Sequence, residues 1–179
     1  MKRTLLVALC MVLAASVAVA QPGTIGIFSD LTFTSNQLTD AGGPVFAYVA
    51  HINTSGSTGS RFMVVQANLA CMTYVGETSP FATVMGNSQT GIEIAYGSCV
   101  VGSFEVLTIE YAGCSSPACA ALVVMPDTAA TPEAVLVTDC EVPPNLIVTS
   151  GGYAWINFDG TCTVPIEDTS WGRIKTLYR

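Results

Sequence analysis

The chain is punctuated by short apolar runs that are rich in Val, Ile, Thr, Phe and Tyr and are separated by turn residues. β-Branched and aromatic residues in short runs favour strands. The breaks include Gly42-Gly43-Pro44, Pro143-Pro144 and Gly151-Gly152, which are typical turn signals. Runs repeating about every ten residues predict an all-β fold, and we expect an antiparallel β-sandwich. The predicted strands are 24–28, 45–52, 61–66, 71–75, 81–85, 92–96, 104–111, 121–125, 134–138, 146–149 and 153–158.

Two segments add detail to this pattern. In 92–96, Ile92, Ile94 and Tyr96 alternate with Glu93, which indicates a strand with one buried and one solvent-facing side. Segment 55–60 reads Ser-Gly-Ser-Thr-Gly-Ser, a composition typical of flexible linkers. Strand-like runs flank it closely, so we predict the tip of a hairpin there. We find no internal repeat.

Residues 1–20 have the features of a secretory signal peptide. Lys2 and Arg3 precede an apolar stretch at 5–13, and Ala18-Val19-Ala20 forms a small-x-small cleavage pattern before Gln21. The apolar run ends after 16 residues, whereas a membrane span needs roughly 18–20, which argues against an uncleaved anchor. Leu9 is too bulky for a lipoprotein signal at Cys10. We therefore expect a secreted chain, cleaved near Ala20, that is extracellular, periplasmic or bound to the cell surface.

We divide the chain into a signal peptide at 1–20, one β-sandwich domain at 21–163 and a C-terminal tail at 164–179. Half of all residues are hydrophobic, 11% are charged and the mean hydropathy is +0.53. This composition excludes intrinsic disorder, which requires low hydrophobicity and high charge density. No apolar run after residue 20 approaches membrane length, so we expect no membrane span in the mature chain.

Removal of Cys10 leaves six cysteines behind the signal peptide, an even number that predicts disulfides. We predict the sequential pairs Cys71–Cys99, Cys114–Cys119 and Cys140–Cys162, although fifteen connectivities are possible for six cysteines. A zinc site is the alternative. Zinc requires closely spaced cysteine pairs with further ligands nearby, and only Cys114 and Cys119 are close enough. We expect no metal ion.

Catalytic motifs are hard to find in this sequence. Its single histidine, His51, lies in a strand pattern, and no Gly-x-Ser-x-Gly elbow, phosphate-binding loop or EF-hand loop is present. Acidic pairs such as Glu105 with Glu110, or Asp139 with Glu141, could serve glycoside hydrolysis, but thirteen acidic residues provide such pairs by chance. We therefore assign no catalytic residue and no cofactor-binding residue, and expect neither enzyme activity nor a cofactor.

Charge is distributed unevenly along the chain. After residues 1–20 are removed, four basic residues oppose thirteen acidic ones, which gives a net charge of −9. Arg61 is the only one of these four cations before residue 173. The body up to residue 172 thus carries −12 and the last seven residues carry +3. No basic face exists to bind phosphates, so nucleic acid is excluded as a partner.

The C-terminal tail departs from the strand pattern. Thr169 or Ser170 could cap a short amphipathic helix with an apolar stripe and basic residues near its C-terminal end. Such a helix either packs on its own domain or docks onto an export machine, the cell surface or another subunit. For the second case we predict a docking element made of Trp171, Arg173, Ile174, Lys175, Leu177, Tyr178 and Arg179.

The tail, Pro-Ile-Glu-Asp-Thr-Ser-Trp-Gly-Arg-Ile-Lys-Thr-Leu-Tyr-Arg, resembles the C-terminal ends of many small secreted proteins of environmental bacteria. The stretch Asn-Ser-Gln-Thr-Gly-Ile-Glu-Ile-Ala-Tyr-Gly-Ser-Cys at 87–99 resembles a segment of the same group. This resemblance implies secretion and assigns no catalytic residue. The Thr-Gly-Ile-Glu-Ile segment in a strand-rich domain of this size is also similar to cohesin-like or immunoglobulin-like sandwiches. That resemblance implies a fold and does not transfer a function.

These observations favour a secreted structural or binding module that acts in adhesion, assembly or envelope interaction. Its partner would be a protein, a cell surface or another copy of the chain. A carbohydrate-binding or glycoside-hydrolysing domain that uses surface carboxylates with Tyr153 and Trp155 is one alternative. A self-assembling surface or filament subunit is the other, suggested by the opposite charges of body and tail.

Overall fold

The structure is a computed structural model that describes residues 21–163. The predicted signal peptide and the predicted C-terminal helix lie outside these residues. The described part is all-β, as predicted, and contains no helix that is long and apolar enough to cross a membrane. Its ten strands are β1 (Thr24–Phe28), β2 (Gln37–Leu38), β3 (Pro44–Ala67), β4 (Thr73–Thr78), β5 (Thr83–Asn87), β6 (Gly91–Ala112), β7 (Ala120–Met125), β8 (Val135–Thr138), β9 (Leu146–Gly151) and β10 (Tyr153–Ile156).

β3 and β6 are much longer than predicted, at 24 and 22 residues. β3 continues through 55–60, so the predicted hairpin tip is wrong. The ladder between the two strands shifts register four times between Val49 and Gly59. Such bulges add unpaired residues and bend a strand. The small residues of 55–60 therefore let β3 curve onward where a hairpin would have reversed the chain.

The strand pairings form a continuous network. β3 pairs with β1 and β8, and β9 pairs with both β1 and β8, so these four strands close into a circuit. β4 and β5 pair with β6, while β7 links β3 to β10 and β2. The predicted sandwich of separate sheets is not confirmed. The predicted antiparallel order holds except in β1–β9 and β2–β10, which are parallel.

The core is formed by the inward-facing residues of these strands. Ile25 and Ile27 of β1, Phe62 of β3, and Ile92 and Ile94 of β6 are all at most 1% exposed. The alternation predicted for 92–96 is confirmed, because Glu93 is exposed between its two buried neighbours. These residues belong to one hydrophobic cluster that also includes side chains of β2, β7, β8 and β10.

All three predicted disulfide pairs are wrong. The structure joins Cys71 to Cys114, Cys99 to Cys140, and Cys119 to Cys162, with Cα–Cα distances of 5.9, 5.5 and 5.2 Å. These distances lie within the range that a disulfide bridges. The sequential prediction assumed that neighbours along the chain meet. The long strands β3 and β6 instead carry such neighbours apart and bring together cysteines that are 41–43 residues apart. Three disulfides are typical of a protein that matures in an oxidising environment.

We predict that non-reducing peptide mapping of the purified chain recovers these three pairs. Replacing Cys99 and Cys140 together by Ala should lower the free energy of unfolding by about 4 kcal/mol, because a closed loop of this length restricts the unfolded chain. Chemical denaturation of the wild type and the double variant measures this loss. Recovery of a Cys114–Cys119 peptide would contradict the assignment.

His51 is fully buried among aromatic rings on the inner side of β3. Its Nε2 lies 2.6 Å from the carbonyl oxygen of Pro22, so Nε2 carries the proton and donates it. The other nitrogen, Nδ1, then accepts from the Tyr96 hydroxyl at 3.3 Å. The ring centroids of Tyr96 and Phe104 lie 6.1 and 5.5 Å away. Burial lowers the pKa of His51 below its ordinary 6.5, and the bond to Pro22 opposes this only in part.

Because the folded pKa of His51 is lowered, the unfolded chain binds its proton more readily. Its contribution to stability is complete above about pH 6.5 and is lost as the pH falls below that value, at up to about 1.4 kcal/mol per pH unit. We predict that His51→Gln flattens this part of the stability profile between pH 7 and 5. Urea unfolding at several pH values tests this. Carboxylates with a lowered pKa, such as Asp139, lose their contribution only below about pH 4. A variant profile as steep as that of the wild type would refute the role of His51.

Candidate functional site

One outer surface combines side chains from β5, β6, β3, β8 and β9. Strand register places Met85 opposite Glu93, Glu93 opposite Arg61, Arg61 opposite Leu136, and Leu136 opposite Val148. Partners in register point to the same side of a sheet. A single row of side chains therefore crosses five strands.

A second row lies beside the first and consists of Thr83, Ala95, Gly59, Thr138 and Leu146. We call the two rows together the trough. Its floor is low at Gly59 and Ala95, which are the smallest of the ten residues in the two rows. A Cβ on Gly59 would lie 3.0 Å from the carbonyl oxygen of Ile94, so a larger residue fits poorly there. The resulting cavity has a volume of about 260 Å³.

Three apolar side chains of the trough are more than half exposed. Met85 is 57% exposed on β5, and Leu146 and Val148 are 65% and 60% exposed on β9. They flank the low floor from the two outer strands. Leu146 and Val148 are adjacent on one face of β9 and form an exposed apolar patch, whereas Met85 lies alone at the opposite edge, and contiguous apolar patches mark interaction sites. The trough thus presents apolar side chains at its two edges.

An ion-pair network lies at the centre of the trough. The Arg61 Nε donates to Asp127 Oδ2 at 2.8 Å, and Arg61 Nη1 lies 3.8 Å from Glu93 Oε2. Asp127 is buried and also accepts from the backbone N–H of Ala129 at 2.8 Å. Burial raises the pKa of Asp127, but its bonds to Arg61 and Ala129 outweigh that effect, so the pKa is lowered. The arginine side chain is therefore held in place, with one third of its surface open to a partner.

Gly91 makes room for Asp127. It has φ of +125°, a backbone conformation that residues with side chains rarely adopt. A Cβ at this position would lie 2.6 Å from the Asp127 carboxyl carbon. Gly91 is therefore needed both for its own backbone and for the position of the carboxylate that holds Arg61.

The arrangement is suited to binding. Arg61 offers N–H donors, the threonines offer hydroxyls, and the edges offer apolar contact. His51, the residue around which a nucleophilic site would have to be built, lies in the core with both ring nitrogens in hydrogen-bonding contact. The trough thus offers hydrogen-bond donors, hydroxyls and apolar contact, and His51 does not line its cavity.

The acidic residues suggested for glycoside hydrolysis have separate contacts in the structure. Asp139 accepts from the backbone N–H groups of Glu141 and Asn145, at 3.1 and 2.8 Å. Glu105 accepts from the Thr108 hydroxyl, and Glu110 lies opposite Phe46 in the β3–β6 ladder. Asp139 therefore stabilises the turn between β8 and β9. None of these four acidic residues lines the trough cavity.

The aromatic pair suggested for carbohydrate binding is not positioned for it. Trp155 is only 5% exposed, and its ring packs against Tyr153 with a centroid separation of 5.3 Å. A sugar-stacking surface requires an open ring face. The expectation of a surface Trp155 is thus wrong, because this residue of β10 is almost fully buried.

The structure does not describe the predicted docking element, and it contains a site that the sequence does not predict. The docking element at 171–179 lies outside the described residues. The sequence does not predict the trough, although the solvent-facing position of Glu93 in 92–96 and the small residues of 55–60 are visible in it. Only the pairing of β3 with β6, which sets Gly59 opposite Ala95, brings these two segments together.

The fold resembles that of cohesin modules. A non-cellulosomal cohesin from the hyperthermophilic archaeon Archaeoglobus fulgidus matches with a TM-score of 0.51 and 13% identity, over 74% of this chain and 89% of that one. The seventh ScaB type I cohesin from Pseudobacteroides cellulosolvens matches with a TM-score of 0.50 and 14% identity, over 80% of this chain and 95% of that one. No protein-family model and no curated protein matches the sequence. At these identities the similarity establishes the fold alone.

We predict that Gly91→Ala destabilises the protein partly by displacing Asp127. In an Asp127→Ala background the clash is absent, whereas the backbone cost at residue 91 remains. The two substitutions should therefore couple by about 1 kcal/mol or more in a double-mutant cycle of unfolding free energies. Additive effects would show that Gly91 serves only its own backbone conformation.

Proposed function

We propose that this chain is a secreted, non-catalytic binding module whose trough holds a partner protein in an assembly outside the cytoplasm. The observation that carries the proposal is the five-strand trough, in which exposed Met85, Leu146 and Val148 flank the low floor at Gly59 and Ala95. Such a surface offers apolar edges, a fixed arginine at its centre and polar hydroxyls, which are groups that protein–protein interfaces use.

The size of the cavity supports a protein partner over a small ligand. Small-molecule sites usually enclose about 300–1,000 Å³ and bury most of their ligand. The trough cavity is smaller, at about 260 Å³, and lies on the outer face of a sheet. One apolar side chain of a partner would fill it, while the surrounding rows would contact the partner's adjacent surface. Arg61 would then be a central contact, as arginines often are in interfaces.

The secreted setting is supported by the signal-peptide pattern of the sequence and by the three disulfides, which suit an oxidising compartment. The cohesin-like fold is consistent with an assembly role, and adhesion or envelope attachment are the settings we favour. We further propose that the tail at 171–179 is a second attachment point, because it combines apolar residues with three cations, whereas the acidic body has Arg61 alone.

The trough proposal is tested with the immobilised mature chain and the extracellular proteins of its source organism. A bound protein is identified by mass spectrometry, purified, and titrated against the wild type and Leu146→Asp/Val148→Asp by calorimetry. Both side chains are exposed, so the fold should be preserved, and we expect the dissociation constant to rise at least about tenfold.

Val142→Asp is the matched control, since Val142 is 95% exposed and does not line the trough cavity. It should bind like the wild type. If the trough variant and the control both bind as tightly as the wild type, the partner uses another surface and the proposal fails.

A further inference from the structure

A second surface lies on the outer side of β1, β3, β6 and β4. Register places Phe28 opposite Tyr48, and Phe46 opposite Glu110. Val75, an extra residue at a bulge in β4, lines the same cavity as Glu110. We call these five residues the aromatic face. Phe46 and Val75 are 46% and 58% exposed, so this face also presents apolar area to its surroundings.

The aromatic face is indented at one end. A depression of about 180 Å³ is lined by Pro44, Val75 and Glu110 together with the glycines of the turns at 42–43 and 113. The glycines leave this end open to an incoming side chain. The face thus has both an exposed apolar side chain, Phe46, and a recess with the Glu110 carboxylate on its wall.

The charge on this face is acidic. Glu110 lines the recess, and Glu105 is held on the same side of β6 by a hydrogen bond from Thr108, whose register partner is Tyr48. Between residues 21 and 163 the sequence contains one Lys or Arg, Arg61, and that side chain is bound to Asp127 at the trough. A complementary partner must therefore supply both cations and apolar side chains.

The chain itself contains a segment of this chemistry. Residues 171–179 read Trp-Gly-Arg-Ile-Lys-Thr-Leu-Tyr-Arg, with three cations interleaved with four large apolar or aromatic side chains. The segment carries +3 and the rest of the mature chain carries −12. Opposite charge on two parts of one chain selects and orients an encounter between copies.

From this complementarity we infer that the aromatic face binds residues 171–179 of a second copy of the chain. The inference rests on the proposed role of the tail as an attachment point and names the surface that receives it. A face on one copy that binds the tail of the next is a heterologous contact, which leaves a free face and a free tail at the two ends. The contact can therefore repeat along a row of copies and leaves the trough of every copy available.

The test uses three forms of the mature chain in analytical ultracentrifugation at about 5–200 µM, a range that detects micromolar self-association. The face variant is Phe46→Ser/Glu110→Lys, and the tail variant is Arg173→Glu/Lys175→Glu/Arg179→Glu. We expect the wild type to gain mass with concentration and each variant alone to remain monomeric. An equimolar mixture of the two should form a dimer and stop there, because it contains only one intact face and one intact tail per pair.

Two controls make the outcome decisive. Val142→Ser/Glu141→Lys carries the same kinds of change at exposed positions outside the aromatic face and should assemble like the wild type. The trough variant Leu146→Asp/Val148→Asp should assemble as well, which separates this inference from the trough proposal. A monomeric wild type, a face variant that still assembles, or a mixture without a dimer overturns the inference. Assembly lost only in the trough variant would assign the self-contact to the trough and overturn it too.

Discussion

The pairing of β3 with β6 is the constraint on which the other parts of the molecule depend. This ladder runs from Pro44 opposite Ala112 to Phe62 opposite Ile92, and its register shifts in the middle. Because both strands bend there, their two halves offer different outer surfaces. One half receives β1 and β4 and carries the aromatic face, while the other receives β5 and β8 and carries the trough. Two binding surfaces thus arise from a single long ladder.

A buried carboxylate fixes one end of this framework. Asp40 is 3% exposed, and burial alone would raise its pKa, but hydrogen bonds from several backbone N–H groups hold the pKa well below its usual range. The donors are Gly42, Cys114, Ser115 and Ser116. Asn157 adds bonds to the carbonyls of Asp40 and Ser116. One aspartate therefore joins the turn before β3, the segment after β6 and the end of β10.

The sequence predicts the local features of this fold and misses the non-local ones. Alternation at 92–96 located a real strand, because the side-chain period of a strand is visible within five residues. The continuity of β3 through 55–60 depends on a partner strand some 40 residues away, which no local pattern contains. The trough is not predictable for the same reason, since Glu93 and Leu146 come to line one cavity only through the register of three ladders. The pattern around His51 correctly predicts a strand, but its burial beside Tyr96 and Phe104 depends on the pairing of β3 with β6.

The disulfide spacing has a consequence for how the protein acquires its bonds. In a reduced, unfolded chain, loop closure favours contact between cysteines that are close in sequence, and Cys114 with Cys119 is the nearest pair. The native bridges all join residues 41–43 positions apart. Oxidation that runs ahead of strand pairing therefore locks the chain into a wrong connectivity, which thiol–disulfide exchange must then undo. Correct oxidation therefore requires that the strands pair before the disulfides form.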